Sequence, residues 1–214
     1  MALKFKTVAF DSCSELARLY FTKSMNKSTD DTEKIRAMQD YPAATERLNM
    51  LIRRIKNLRE DGVEVVFTAH EDIQKIYARG GAMSKQPQEP IAVKGWPDMP
   101  GTRTPDEFCR AADNVLHIRN VNKLPVAVAT RELLGTGSDY WETKDRFNAR
   151  TLGNPAGYLP LDYSQIAALA TAKGLWDPPY IWILYGSFGI GKTRGLLTFP
   201  RPMKIFDLDR GTKS

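Results

Sequence analysis

The chain has 214 residues, 42% hydrophobic and 26% charged, with 31 Lys and Arg against 25 Asp and Glu for a formal charge of +6. That is enough chain for one α/β domain with a real core, and the composition is that of an ordinary soluble globular protein without repeats or low-complexity tracts. No window reaches the roughly eighteen apolar residues of a membrane span, and the opening Met-Ala-Leu-Lys-Phe-Lys lacks a signal-peptide core, so no membrane partner and a cytoplasmic location are expected.

In chain order, Lys4 to Phe10 is β-prone and closes on Asp11. A helix is expected over about Ser14 to Met25, with Leu16, Leu19 and Tyr20 on one face, and a polar turn over Ser24 to Asp31. A second helix, about Ala43 to Glu60, sets Leu48, Leu51, Ile52, Ile55 and Leu58 at helical spacing before Asp61-Gly62 ends it. Val63 to Ala69 reads as a buried strand closing on His70. From Lys75 to Pro105, glycines and prolines interrupt any periodicity, which predicts a long functional or mobile connection. A helical turn near Asp106 to Ala112 follows, then two strands of a hairpin-like pair, Asn114 to Arg119 and Val126 to Arg131. Tyr140 to Arg150 is charged and aromatic, and Leu161 to Lys173 is helical up to Gly174. Tyr180 to Tyr185 is an apolar run, and Met203 to Phe206 is a final strand. Cys13 and Cys109 are too few for a disulfide scaffold or a zinc site and are expected reduced. Strands alternating with helices predict an α/β fold, with a mainly parallel central sheet and flanking helices.

Gly186-Ser-Phe-Gly-Ile-Gly-Lys192-Thr193 fits the pattern GxxxxGK[ST] at every fixed position, after an apolar strand and before a helical stretch. Its glycines let backbone amides turn inward around phosphate oxygens. The loop residues Gly186, Ser187, Phe188, Gly189, Ile190, Gly191, Lys192, Thr193 and Arg194 are therefore candidate contacts for ATP. Lys192 is placed to reach the β- and γ-phosphates, and the Thr193 hydroxyl to ligate Mg²⁺. In parallel sheets ligands gather beyond the carboxyl ends of the strands, so the residues ending the other strands matter most. Asp11 is a candidate second magnesium anchor opposite Thr193, or a helix cap, a task Ser12 or Ser14 can take instead. Asp209, two residues past Asp207, is a candidate to orient or deprotonate the attacking water, with Glu15 as its rival. His70 is a candidate γ-phosphate contact, or a strand-end histidine satisfied by backbone.

These stretches resemble RecA-type P-loop NTPases, most closely the small phage-encoded RecA-like ATPases of single-strand annealing and recombination. The resemblance rests on Ile183-Leu-Tyr-Gly-Ser-Phe-Gly-Ile-Gly-Lys-Thr193, Ile205-Phe-Asp-Leu-Asp-Arg-Gly211, Val8-Ala-Phe-Asp-Ser12, Val66-Phe-Thr-Ala-His70, Pro97-Asp-Met-Pro-Gly101 and Lys144-Asp-Arg-Phe147. It implies that Asp209 stands where the family keeps its water-activating glutamate and His70 where it keeps a polar sensor. Lys144 and Arg146 fall in a stretch similar to the family motif whose cations reach a neighbouring subunit's nucleotide, which implies a homo-oligomer, filament or ring. The alternative for Thr143 to Arg150 is a solvated charged turn. In the family the phosphate loop comes early; here the usual order returns when the chain is read from Trp176 to Ser214 and then from Met1 to Gly174. The chain thus resembles a circularly permuted single domain, with the Asp strand and sensor in residues 1–174 and the phosphate loop in residues 175–214. The loop segment then completes either its own chain's sheet or a neighbour's.

Lys75, Arg79, Lys85, Lys94 and Arg103, with Tyr77 and Trp96 among them, offer the cations and stacking platforms of a single-stranded DNA contact; a nucleotide lid is the other reading. The leading expectation is a DNA-dependent ATPase of the recombination type. A small-molecule P-loop kinase and a non-catalytic nucleotide-gated DNA-binding module are the alternatives. They are separated by whether phosphate is released, transferred to an acceptor or never cleaved.

Overall fold

A computed structural model describes residues 5–25, 33–76, 92–99, 104–122, 129–136, 138–152 and 154–208. Its main sheet has seven strands: β1 (Thr7–Asp11), β2 (Glu64–Ala69), β5 (Asn114–Asn122), β6 (Ala129–Leu134), β7 (Tyr158–Pro160), β8 (Ile181–Tyr185) and β9 (Met203–Asp207). They lie in the order β7-β6-β5-β8-β2-β1-β9. From β5 through β9 every neighbouring pair is parallel, and β6 and β7 add an antiparallel flank. β3 (Glu71–Ile76) and β4 (Ala92–Pro97) form a separate antiparallel pair.

Strand side chains alternate between faces, and here both faces are apolar. Val65, Phe67, Ala69, Ile181, Ile183 and Tyr185 point into one core with Cys13, Ala17, Leu48, Ile52, Ile55, Phe108 and Cys109. The helices supplying that layer are α1 (Cys13–Met25), α2 (Glu33–Lys56) and α3 (Thr104–Ala111). Val66, Trp182, Leu184, Leu116 and Ile118 point the other way, against Phe147, Ile166, Ala170, Leu196 and Phe199. That layer comes from α4 (Tyr163–Ala172), α5 (Lys192–Leu196) and the segment around Phe147. The expected α/β sandwich is what forms. Among the described residues no helix is long and apolar enough to cross a membrane.

Several expectations need correction. The stretch expected to be irregular from Lys75 onward begins instead as the β3–β4 pair, which follows directly on His70. Glu-Asp-Ile-Gln-Lys-Ile sets its two apolar residues three apart and β4 carries Gly95 and Pro97, so neither strand shows alternation. Gly95 is required for contact: a Cβ there would lie 2.0 Å from the Trp141 ring, and residue 95 pairs with Trp141. The second helix begins at Glu33, earlier than Ala43, because it continues through Pro42. The hairpin partner of β5 is shifted to Ala129–Leu134, and β7 was not anticipated. The remaining cations of the expected DNA contact, Arg79, Lys85 and Arg103, lie outside the described residues, as does Tyr77.

The cores are closed at the strand starts by two buried carboxylates. Glu64 accepts from Tyr180 N at 3.0 Å, Trp182 Nε1 at 2.7 Å and the Tyr163 hydroxyl at 2.8 Å. Asp113 accepts from Ile181 N at 2.9 Å and pairs with Arg59 at 3.2 Å and Arg146 at 2.8 Å. Both fasten the first residues of β8, the strand that carries the phosphate loop.

Candidate active site

The parallel strands deliver their carboxyl ends to one edge of the sheet. β8 is buried along its whole length and runs straight into Gly186; β2 lies beside it and β1 one strand further. Across that edge the Thr193 hydroxyl donates to Asp11 Oδ2 at 2.7 Å, joining residues 182 apart in sequence. The other carboxylate oxygen, Oδ1, accepts from the Thr68 hydroxyl on β2. Asp11 is 8% exposed and held from two sides. The loop segment therefore completes the sheet of its own chain.

Asp11 is not spent on capping α1. The first-turn amide of Glu15 meets the Ser12 hydroxyl at 3.4 Å and Leu16 N donates to Ser12 O at 3.2 Å, so Ser12 takes that task. The peptide between Asp11 and Ser12 is cis. Lys192 lies inside the loop, 7% exposed, with Nζ donating to Gly186 O at 3.0 Å and Ser187 O at 2.9 Å. His70 Nδ1 is 3.5 Å from the same ammonium. The exposed Phe188 ring at the loop apex stacks over the His70 ring, centroids 6.1 Å apart. The His70 amide donates to Ser14 Oγ at 3.0 Å, and Ser14 Oγ donates to Asp98 O at 2.7 Å. His70 thus joins the loop and the β3–β4 pair through one short run of backbone.

The donor set fits a hard divalent cation bound beside a phosphate chain. A hydroxyl and a carboxylate stand side by side, and Mg²⁺ takes few protein oxygens, completing its shell from phosphates and water. Among the described residues no group of three His, Cys, Asp or Glu side chains is gathered into a cluster. Glu15 is drawn into a pair with Arg18 at 2.5 Å, whose other nitrogen reaches Asp98 at 3.0 Å. Asp207 lies opposite Asp11 in register, at the same end of the sheet; Asp209 itself lies outside the described residues. Arg194 is exposed on α5.

Lys144 and Arg146 are not brought to this loop. Arg146 N donates to Asn114 Oδ1, and Asn114 is in register with Trp182, four residues before Gly186. At 3.3 Å per strand residue that is about 13 Å along β8. Arg146 is held there by Asp113 and the Lys144 ammonium donates to Ala112 O at 2.5 Å, burial lowering its pKa from the usual lysine value. Within one chain these cations serve the opposite edge of the sheet. Thr68 was missed from sequence; the available signal was a lone hydroxyl one place before the end of an apolar strand.

A family model described as AAA domain matches residues 3–147, a span containing Asp11, Thr68 and His70 but ending before the phosphate loop. No curated protein and no solved structure matches the chain. The matched span and the loop are separate stretches of sequence that the fold brings to one site. With more than half of its residues matched, the chain belongs to the AAA domain family and is a P-loop ATPase.

Proposed function

We propose that the chain hydrolyses ATP with Mg²⁺ at the Gly186–Thr193 loop, that its order is a circular permutation of a RecA-like domain, and that single-stranded DNA governs its turnover. The observation that carries the site is the 2.7 Å contact between Thr193 and Asp11. Support for the permutation comes from strand order. With the two termini joined in thought, β9, β1 and β2 follow one another both along the chain and as parallel neighbours in the sheet, and β2 lies beside the loop strand β8. A parallel sheet depends on spatial neighbours, which makes such reordering physically tolerable.

In this reading the loop amides and Lys192 hold the β- and γ-phosphates, and Thr193 and Asp11 hold the cation. Magnesium, when bound, neutralises charge on the phosphate oxygens. His70 contacts the γ-phosphate in place of its present neighbour Lys192, and Asp209 orients the water. Lys144 and Arg146 act on the nucleotide of an adjacent copy in a filament or ring. The DNA role in the proposal rests on position. The β3–β4 arm starts at the residue after His70, and Glu71 on it meets His117 Nε2 at 2.9 Å while Trp141 stacks on His117 at 3.7 Å. A change at the γ-phosphate therefore reaches the root of the arm directly. Its Lys94 is engaged by Glu142 and lies 4.7 Å from the Trp96 ring, so DNA contact falls to other residues of the arm or requires that pair to open.

Phosphate release from labelled ATP, with and without single-stranded DNA, tests this. Turnover raised by DNA and abolished by Lys192→Ala is expected. Hydrolysis that ignores DNA at every concentration removes the DNA role, and phosphate appearing on an acceptor identifies a kinase.

A further inference from the structure

The phosphate loop has a cation on its other flank that neither the motif nor the strand-end pattern includes. Arg131 lies on β6 opposite Asn120 of β5. β5 runs parallel to β8 and faces the last residue of that strand, Tyr185, with His117. Asn120 is three residues further, so Arg131 stands beyond the end of β8, about 10 Å along, at the level of the loop. A Cβ built on Gly191 would lie 2.9 Å from Arg131 Nε and 3.1 Å from Cζ, so the guanidinium rests against the loop backbone just before Lys192. Gly191 has φ +98° and no side chain, which is what allows this approach.

Arg131 Nε is buried and meets no acceptor among the described residues. The neighbouring cation on β5 also has a buried Nε without an acceptor, but its charge is matched: Arg119 pairs with Glu132 at 3.3 Å and covers the Tyr158 ring at 3.4 Å. No ion pair of Arg131 is found among the described residues. A buried guanidinium donor left without an acceptor is costly, and planar N–H pairs are matched best by phosphate or carboxylate oxygens.

We infer that Arg131 binds the nucleotide in cis, on the phosphate nearest the ribose, and so sets affinity for ADP and ATP alike. This rests on the ATPase reading above and deepens it. The side of the loop decides the assignment. Thr193, Asp11, Thr68 and His70 all lie toward β2 and β1, where the γ-phosphate end belongs, whereas Arg131 approaches from β6, across β8. An arginine on that flank is remote from the transferred phosphoryl. Its loss weakens binding of both nucleotides in equal measure and leaves the difference between them intact.

The test is titration of fluorescent ADP and of a non-hydrolysable ATP analogue against wild type, Arg131→Met and Arg131→Lys, each checked for its nucleotide-free melting temperature. Arg131→Met is expected to bind both nucleotides about 10- to 100-fold more weakly, with Arg131→Lys, which keeps the charge but not the planar N–H pair, recovering part of the loss. In wild-type protein, the ¹⁵N resonance of Arg131 Nε is expected to shift on adding ADP, a readout that needs no variant to fold. Unchanged affinity in Arg131→Met, a loss confined to the ATP analogue, an Arg131→Lys as weak as Arg131→Met, or an Nε signal indifferent to ADP each overturns the assignment. Wild type that binds neither nucleotide defeats the ATPase reading itself, a different outcome from a wild type that binds while Arg131 is idle.

Discussion

Replacing Glu64 separates what its hydrogen bonds contribute from what its charge costs. The side chain is 4% exposed and accepts from a buried backbone amide, an indole N–H and a phenol. No ion pair with a cation is found for it among the described residues. Glu64→Ala leaves Tyr180 N and Trp182 Nε1 buried without acceptors, at about 1–3 kcal/mol each, so a loss of about 2–6 kcal/mol is expected. Glu64→Gln keeps an acceptor for both and turns its amide toward the Tyr163 hydroxyl, so its cost at neutral pH is small. Burial raises the Glu64 carboxyl above its ordinary 4.5, so the folded chain holds this proton more tightly than the unfolded chain. The stability this lends is complete below pH 4.5 and is lost as pH rises through the folded value. Glu64→Gln has no such dependence and gains on wild type as pH rises. Urea melts of the three proteins from about pH 4 to about pH 8 measure this. A Glu64→Gln deficit that is large and constant across that range would refute the reasoning, because it would mean that the fold favours the charged carboxylate.

Two further outcomes follow from the geometry. Gly191→Ala forces a side chain into backbone at φ +98° and against Arg131, and is expected to remove nucleotide binding while the apo fold survives, read by nucleotide titration beside a thermal melt. Burial pushes the Cys13 thiol up to about 12 and the Cys109 thiol also upward, so both stay protonated and unreactive at neutral pH; iodoacetamide labelling followed by mass spectrometry should modify them only after denaturant is added.

The sequence exposed the pieces of the site that depend on local pattern. The phosphate loop is a contiguous motif, and Asp11 and His70 each end an apolar run, so chemistry and strand register coincide. Their meeting was also legible, because a parallel sheet gathers the carboxyl ends of its strands. What escaped was set by long-range contact. Thr68 acquires meaning only when β1 lies beside β2. The β3–β4 pair is held by Trp141 and His117 from distant segments, so its own residues need not alternate. Arg131 belongs to an antiparallel flank whose register places it over the loop, and nothing within several residues of it signals a phosphate. Arg146 carries the opposite lesson: its family-like motif is present, yet within one chain it braces the start of β8 through Asp113.

Magnesium dependence of ATP-analogue binding tests the central claim most directly, by calorimetric titration of wild type, Asp11→Asn and Thr193→Ala with and without the cation. If Thr193 and Asp11 share one magnesium, wild type binds more tightly with Mg²⁺, and each variant loses about 10- to 100-fold of that gain while its magnesium-free binding persists. Full magnesium enhancement in Asp11→Asn would show that the two ends of the chain do not hold a common ion.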